Sequence, residues 1–173
     1  NIDFVLKNEE GEEIKNYIRV DGDNVRVIEL PYMRGMKQYI KSYFKFRKAA
    51  KEAVEGAEYA IIRLPSVPAF MVLDFYKQKN RPYFIEVVAD PNDAYASNKI
   101  AQIMYTKKLK EAVMSANGVS YVTQNYLQTK YPSYARVNGE DSRHFETYYS
   151  TIDLRDEYFG EPKKYSKTKK EYI

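Results

Sequence analysis

Cysteine is absent from the 173 residues, and histidine occurs once, as His144. Disulfide staples, thiolate nucleophiles and cysteine-based metal centres are therefore excluded, and a histidine-rich metal site or a Cys/His dyad is out of reach. No apolar run approaches the ~20 residues that span a bilayer, and no charged-then-apolar leader opens the chain. Neither GxGxxG nor GxxxxGK[ST] occurs, and GxSxG and HExxH are missing as well. These absences make the reducing cytosol the simplest address. They give no support to nucleotide binding by a glycine-rich loop of this chain. His144 stands between Arg143 and Phe145 at the start of a strand pattern and fits a structural or surface role better than catalysis.

What is present is a globular composition. With 44% hydrophobic residues the chain can bury a real core, and at this length one domain is expected. The chain opens on Asn1 and closes on Tyr172-Ile173 just after a lysine-rich stretch, as expected of a piece with more chain beyond each end. The net charge of +4 is unevenly placed, with lysine and arginine dense in 34–51 and 163–170. That pattern suits a local anionic partner. The 18 tyrosines suit half-buried positions, where one end is apolar and the other hydrogen-bonds.

Strand and helix patterns alternate along the chain. IDFVL (2–6) and VRVIEL (25–30), the latter stopped by Pro31, read as strands. Across 37–54, Tyr39, Ile40, Tyr43, Phe44, Phe46, Ala50, Ala53 and Val54 fall close to one helical face that stops at Gly56. The opposite face is basic. AEYAIIRLP reads as a buried strand of a parallel sheet, with a helix over about 68–78 after it. PYFIEVV repeats the strand pattern, and DPND brings Asp90 and Asp93 as capping residues before a helix over 98–116. GVSYVT, a short helix in NYLQTKY halted before Pro132, and a strand in RHFETYYS complete the series. The order predicts an α/β, Rossmann-like fold: a mostly parallel sheet, right-handed crossovers and helices on both faces. Residues 1–160 form the expected domain and 161–173 a basic linker.

Ligands of an open parallel sheet bind outside the carboxyl ends of its strands, so polar residues there are the functional candidates. Three strands end that way: at Arg63, Pro65 and Ser66, at Glu86 to Asp93, and at Thr123 to Asn125. Ser66, Asp93, Thr123 and Asn125 can each serve only as helix caps. Glu86 lies inside an apolar strand, where a carboxylate must be paired, for instance by Arg63, or reserved for a ligand. Lys37, Lys41, Lys45, Arg47, Lys48 and Lys51 make the helix over 37–54 basic, either as a solvated face or as a surface for anionic lipid headgroups. No nucleic-acid motif accompanies this charge.

In their order, NVRVIELPYMRG, AEYAIIRLPS, RPYFIEVVADPNDAY, GVSYVTQNYLQTKYPS and YYSTIDLRDEYF resemble the amino-terminal domain of group-one, retaining glycosyltransferases of the GT-B fold. The closest likeness is to enzymes of bacterial polysaccharide synthesis, and it spans about residues 24–160. The ordered set RLPS, EVV-DP-D and YVT-x7-YP carries it. The resemblance implies half of a GT-B fold: an acceptor-side domain facing a carboxyl-terminal domain, absent here, that holds the nucleotide-sugar donor and the family's paired glutamates. It implies transfer with retention to a glycan or lipid-linked acceptor, with no metal and no cofactor. The family's opening strand and glycine-containing loop have no match here. Asp90 falls at or beside the family's polar cleft position, with Ala89 where a histidine is usual, and becomes the candidate catalytic or acceptor contact. Arg63, Ser66, Glu86, Asp93, Thr123 and Asn125 are the further acceptor-side candidates. Lipid-linked acceptors imply a peripheral place on the inner membrane face, reached through residues 37–51. The alternative reading is a non-catalytic Rossmann-like module that binds a sugar or nucleotide.

Overall fold

Short β-branched and aromatic runs bounded by turn residues become strands, and the amphipathic stretches between them become the crossovers that parallel pairing requires. The computed structural model describes residues 2–7, 22–31, 35–150 and 160. The expected linker over 161–173 and the end of YYSTID lie outside the described residues. In order come β1 (Ile2–Lys7), β2 (Val25–Leu30), α1 (Gly35–Val54), β3 (Ala60–Leu64), α2 (Val67–Lys77) and β4 (Tyr83–Val87). They are followed by α3 (Pro91–Ala94), α4 (Lys99–Ser115), β5 (Gly118–Tyr121), α5 (Tyr126–Lys130), α6 (Tyr134–Asn138) and β6 (Phe145–Tyr148).

The fold is α/β and Rossmann-like, as its alternating pattern predicts. Strands β3-β4-β5-β6 form an all-parallel sheet in that spatial order, flanked by helices, and β1 and β2 form a separate parallel pair. Pleating sends alternate side chains to opposite faces. Ile62, Leu64, Ile85, Val87, Val119 and Tyr121 share one buried cluster with Phe46, Ala50 and Val54 of α1, Phe70, Leu73 and Tyr76 of α2, and Leu109 and Val113 of α4. Each fully buried valine, leucine, isoleucine or phenylalanine among them stabilises the fold by about 1.5–3 kcal/mol. The intervening positions, Ile61, Arg63, Phe84, Glu86, Ser120 and Phe145, face the other way, and Ile61 is 68% exposed.

Helix α1 divides along its length. Phe46, Ala50, Ala53 and Val54 in its second half are buried, whereas Ile40 and Phe44 are 68% and 80% exposed. Among the described residues of the apolar face predicted over 37–54, Ile40 and Phe44 stand exposed, Tyr43 is half-buried, and full burial begins at Phe46. One element escaped the sequence reading: α6, opened by Ser133, whose Oγ accepts from the Arg136 N–H at 3.2 Å. Glu146 of β6 ties α6 down by accepting from Ser133 Oγ at 2.6 Å and Arg136 Nε at 2.8 Å.

Candidate functional site

At the carboxyl edge of the sheet, β4 runs into Asp90 and β5 runs into Thr123, so two loops from neighbouring strands meet. Asp90 caps α3, with Pro91 at the first helical position, where its missing N–H costs nothing. Asp90 Oδ1 accepts from the Asn92 N–H at 2.9 Å, Asn92 Nδ2 at 3.0 Å and the Tyr131 hydroxyl at 2.6 Å. Its Oδ2 accepts from the Tyr126 hydroxyl at 3.1 Å and from Lys130 Nζ. The residue is 4% exposed. Burial alone would push its pKa up, but the hydrogen bonds from Lys130, Tyr131, the Asn92 backbone and Tyr126 outweigh it and hold the carboxyl well below the usual range. The same contact raises Lys130 above the ordinary lysine value, and burial followed by the bond to Asp90 pushes the Tyr131 hydroxyl up to about 12.

An ionised, saturated Asp90 has no oxygen left for a ligand. It fixes Lys130 and Tyr126, and these two line an open groove with Asn125 and Thr129. The Lys130 ammonium lies 5.6 Å from the Tyr126 ring centre and 5.9 Å from that of Tyr131, within reach of a cation–π attraction. Tyr126 is 58% exposed. The groove thus presents a cation, a phenol and the amide of Asn125, a donor-rich set suited to orienting hydroxyl or anionic oxygens.

The other predicted residues divide. Ser66 caps α2, accepting from the Ala69 N–H at 3.2 Å, and follows a cis Leu64–Pro65 bond. Thr123 accepts from the Leu127 N–H at 3.0 Å and donates to Gln128 Oε1 at 2.9 Å, so its hydroxyl is engaged by the first turn of α5. Asn125 occupies the cap position of α5 without a capping bond from its side chain, which leaves it to the groove. Asp93 lies in the first turn of α3, exposed, while the cap itself is Asp90. Arg63 and Glu86 are register partners on β3 and β4 and form an ion pair at 3.1 Å, away from the groove. His144 is tied to Asp141 at 3.1 Å and packs on Tyr134. Sequence reasoning missed Lys130, Tyr126 and Tyr131. Their signal is Tyr-x3-Lys-Tyr at the first helix after a strand, where positions four apart share a face.

Fold and site together define a Rossmann-like α/β domain with polar groups gathered at its strand ends. Protein CapJ of Staphylococcus aureus is 31% identical to the chain over 132 residues, which cover 73% of the chain and 33% of CapJ. The chain is thus a distant relative of CapJ and spans about a third of its length. No family model and no solved structure matches the chain.

Proposed function

We propose that the chain is the amino-terminal, acceptor-side domain of a retaining glycosyltransferase of bacterial polysaccharide synthesis. In this reading the enzyme transfers a sugar from a nucleotide-sugar, held by a carboxyl-terminal domain, to a glycan or lipid-linked acceptor. The observation that carries the reading is the convergence of Lys130, Tyr126 and Asn125 on one open groove at the carboxyl edge of the sheet. The ordered strings at the strand ends, the Rossmann-like fold and the likeness to CapJ over a domain-sized part of its length support it.

A general base works best with a pKa near the operating pH, and Asp90 lies far below that. Its part is therefore positioning. It holds the Lys130 ammonium and the Tyr126 hydroxyl where they orient the acceptor, and proximity is the domain's main contribution to rate. The partner surface is an anionic membrane, met by α1 where Ile40 and Phe44 stand exposed among Lys41, Lys45 and Lys48. Among the described residues no helix is long and apolar enough to cross a membrane.

The test uses the full-length protein, a panel of nucleotide-sugars and a bacterial lipid extract as acceptor, with nucleoside diphosphate release as the readout. Tyr126→Phe and Asn125→Ala are expected to raise the acceptor KM about 3- to 10-fold, the worth of one neutral hydrogen bond, with unfolding unchanged in Asn125→Ala and stability lowered by about 1–2 kcal/mol in Tyr126→Phe, whose hydroxyl donates to Asp90. Unchanged KM in both variants removes the groove from the site. Saturable binding of a nucleotide-sugar or glycan without release from any donor favours the non-catalytic module.

A further inference from the structure

A second concavity opens at the opposite, amino-terminal edge of the sheet, where α2 and α4 end above the starts of β4 and β5. Its volume is about 440 Å³, within the range of small-ligand sites. Lys77, Arg81 and Arg143 line it together with Ser115, Asn117 and Tyr83, and no carboxylate does so among the described residues.

Lys77 and Arg81 flank the connection from α2 to β4 while Arg143 precedes β6, and the first two donate to neutral atoms, Arg81 standing within electrostatic reach of a Glu55 carboxylate already paired with Lys79. Lys77 Nζ donates to Ser115 Oγ at 3.0 Å, and the same oxygen is 2.6 Å from the Tyr83 hydroxyl. Arg81 donates to the Ala57 carbonyl and, at 3.5 Å, to that of Glu55. The Glu55 carboxylate is engaged by Lys79 at 2.9 Å. Arg143 is fixed through its backbone: its carbonyl accepts from Asn117 Nδ2 at 3.4 Å and its N–H donates to Asp141 Oδ1 at 2.7 Å. Its guanidinium makes no ion pair among the described residues, and Asp141 turns to His144.

A simpler role for these charges is to offset the negative carboxyl ends of α2 and α4. Each helix end is worth about −0.5 of a charge, so the two together call for about one cation. Three are present. The excess of about two positive charges in a concave, carboxylate-free site matches a doubly charged anion, and arginine's fork matches phosphate oxygens.

We propose that this cavity is a binding site for a phosphate group, separate from the acceptor groove and independent of the transferase reading. The phosphate belongs to a soluble phosphate ester or to a phosphomonoester lipid headgroup.

The test is titration of the full chain with inorganic pyrophosphate and with water-soluble dihexanoyl phosphatidate, followed by amide NMR shifts at physiological chloride. Saturable shifts at Asn80, Ser115 and Asn117 with a Kd of about 1 mM or tighter are expected. The double variant Lys77→Ala/Arg143→Ala should weaken binding about tenfold or more, while Lys45→Ala/Lys48→Ala on α1 leaves it unchanged. Tighter binding of phosphatidate than of pyrophosphate assigns the headgroup, and the reverse assigns the soluble ester. Absence of saturable shifts with both probes overturns the proposal. So does equal weakening by the α1 variant, since it would reduce the effect to diffuse surface charge. Arg81→Lys, which keeps the charge but loses the fork, should weaken binding without altering the urea midpoint by more than the double variant does.

Discussion

Asp90 makes more hydrogen bonds than any other carboxylate described here, and they set its cost of removal. Asp90→Asn keeps an acceptor for the Asn92 N–H but loses the charge that faces Lys130 and Tyr131. The expected loss is about 2–4 kcal/mol in urea unfolding, because hydrogen bonds to a charge are strong and the broken pair is buried on one side. Tyr131→Phe removes a single 2.6 Å bond to that charge and should cost about 1.5–3 kcal/mol. The pH dependence has a definite sign. The folded pKa of Asp90 lies below its unfolded value near 3.9, so its stabilisation is complete above about pH 5 and declines as pH falls toward the folded value. The gap in stability between wild type and Asp90→Asn should therefore be constant from about pH 5 to 7 and shrink below about pH 4. A constant gap down to about pH 2.5 would contradict this placement of the charge. The sequence showed Asp90 as a polar residue at a strand end and as a cap, which follows from DPND alone. Lys130 and Tyr131, 40 and 41 positions downstream, were invisible as its partners, since the contact exists only because β4 and β5 are neighbours. Arg63 and Glu86 show the same limit: the sequence allowed pairing or ligand contact, and only the register of β3 on β4 brings them to 3.1 Å.

At the scale of elements, the long periodic stretches were legible because their burial repeats along the chain. The helix over 98–116 and the strands at AIIRL and YFIEV lie within a residue or two of their predicted places. Helix α6 was not legible: five residues carry no periodicity, and its one local sign, Ser133 as a cap after Pro132, also fits a turn. Gly118 at the start of β5 shows how tightly one row of the sheet is set. It is flanked by Phe84 and Phe145, whose ring centres are 5.7 Å apart. A Cβ there would lie 2.6 Å from Phe145 Cε1 and 2.8 Å from Phe84 Cδ1. Gly118→Ala should therefore cost about 1–3 kcal/mol despite the better strand propensity of alanine. Phe145 is 45% exposed and can give way where Phe84, held between two strands, cannot. In the Phe145→Ala background the cost of Gly118→Ala should drop by about 0.5 kcal/mol or more, a coupling measured by a double-mutant cycle in urea. Strict additivity would mean that the Phe84 ring, not the Phe145 ring, meets the new methyl.

For the whole molecule, helix lengths decide which surfaces meet. At 1.5 Å per residue, α1 with 20 residues is about 30 Å long and α2 with 11 about 16 Å. Both end at the amino edge of the sheet, as their connections to β3 and β4 require, so the first half of α1 overshoots toward the carboxyl edge. That overshoot is where Ile40 and Phe44, four residues apart, stand exposed beside Lys41, Lys45 and Lys48. The sequence placed both apolar residues on the packing face, because periodicity shows which positions share a face but not how far the neighbouring helix reaches. The groove of Tyr126 and Lys130 lies at the same carboxyl edge, so a bilayer touching the overshoot would present lipid-linked molecules to the groove. The expected outcome is co-sedimentation with phosphatidylglycerol vesicles at low salt. It should be lost in Ile40→Ser/Phe44→Ser and weakened by salt as the Debye length falls from about 30 Å at 0.01 M to about 8 Å at 0.15 M. Because both side chains are largely exposed, the same double variant should change unfolding stability by no more than about 0.5 kcal/mol per site. Phe46→Ala, two positions further into the packed half, should cost about 3–5 kcal/mol. Vesicle binding that survives the double variant, or that ignores salt, would assign the overshoot to another partner, and a large loss of stability in the double variant would return Ile40 and Phe44 to the core.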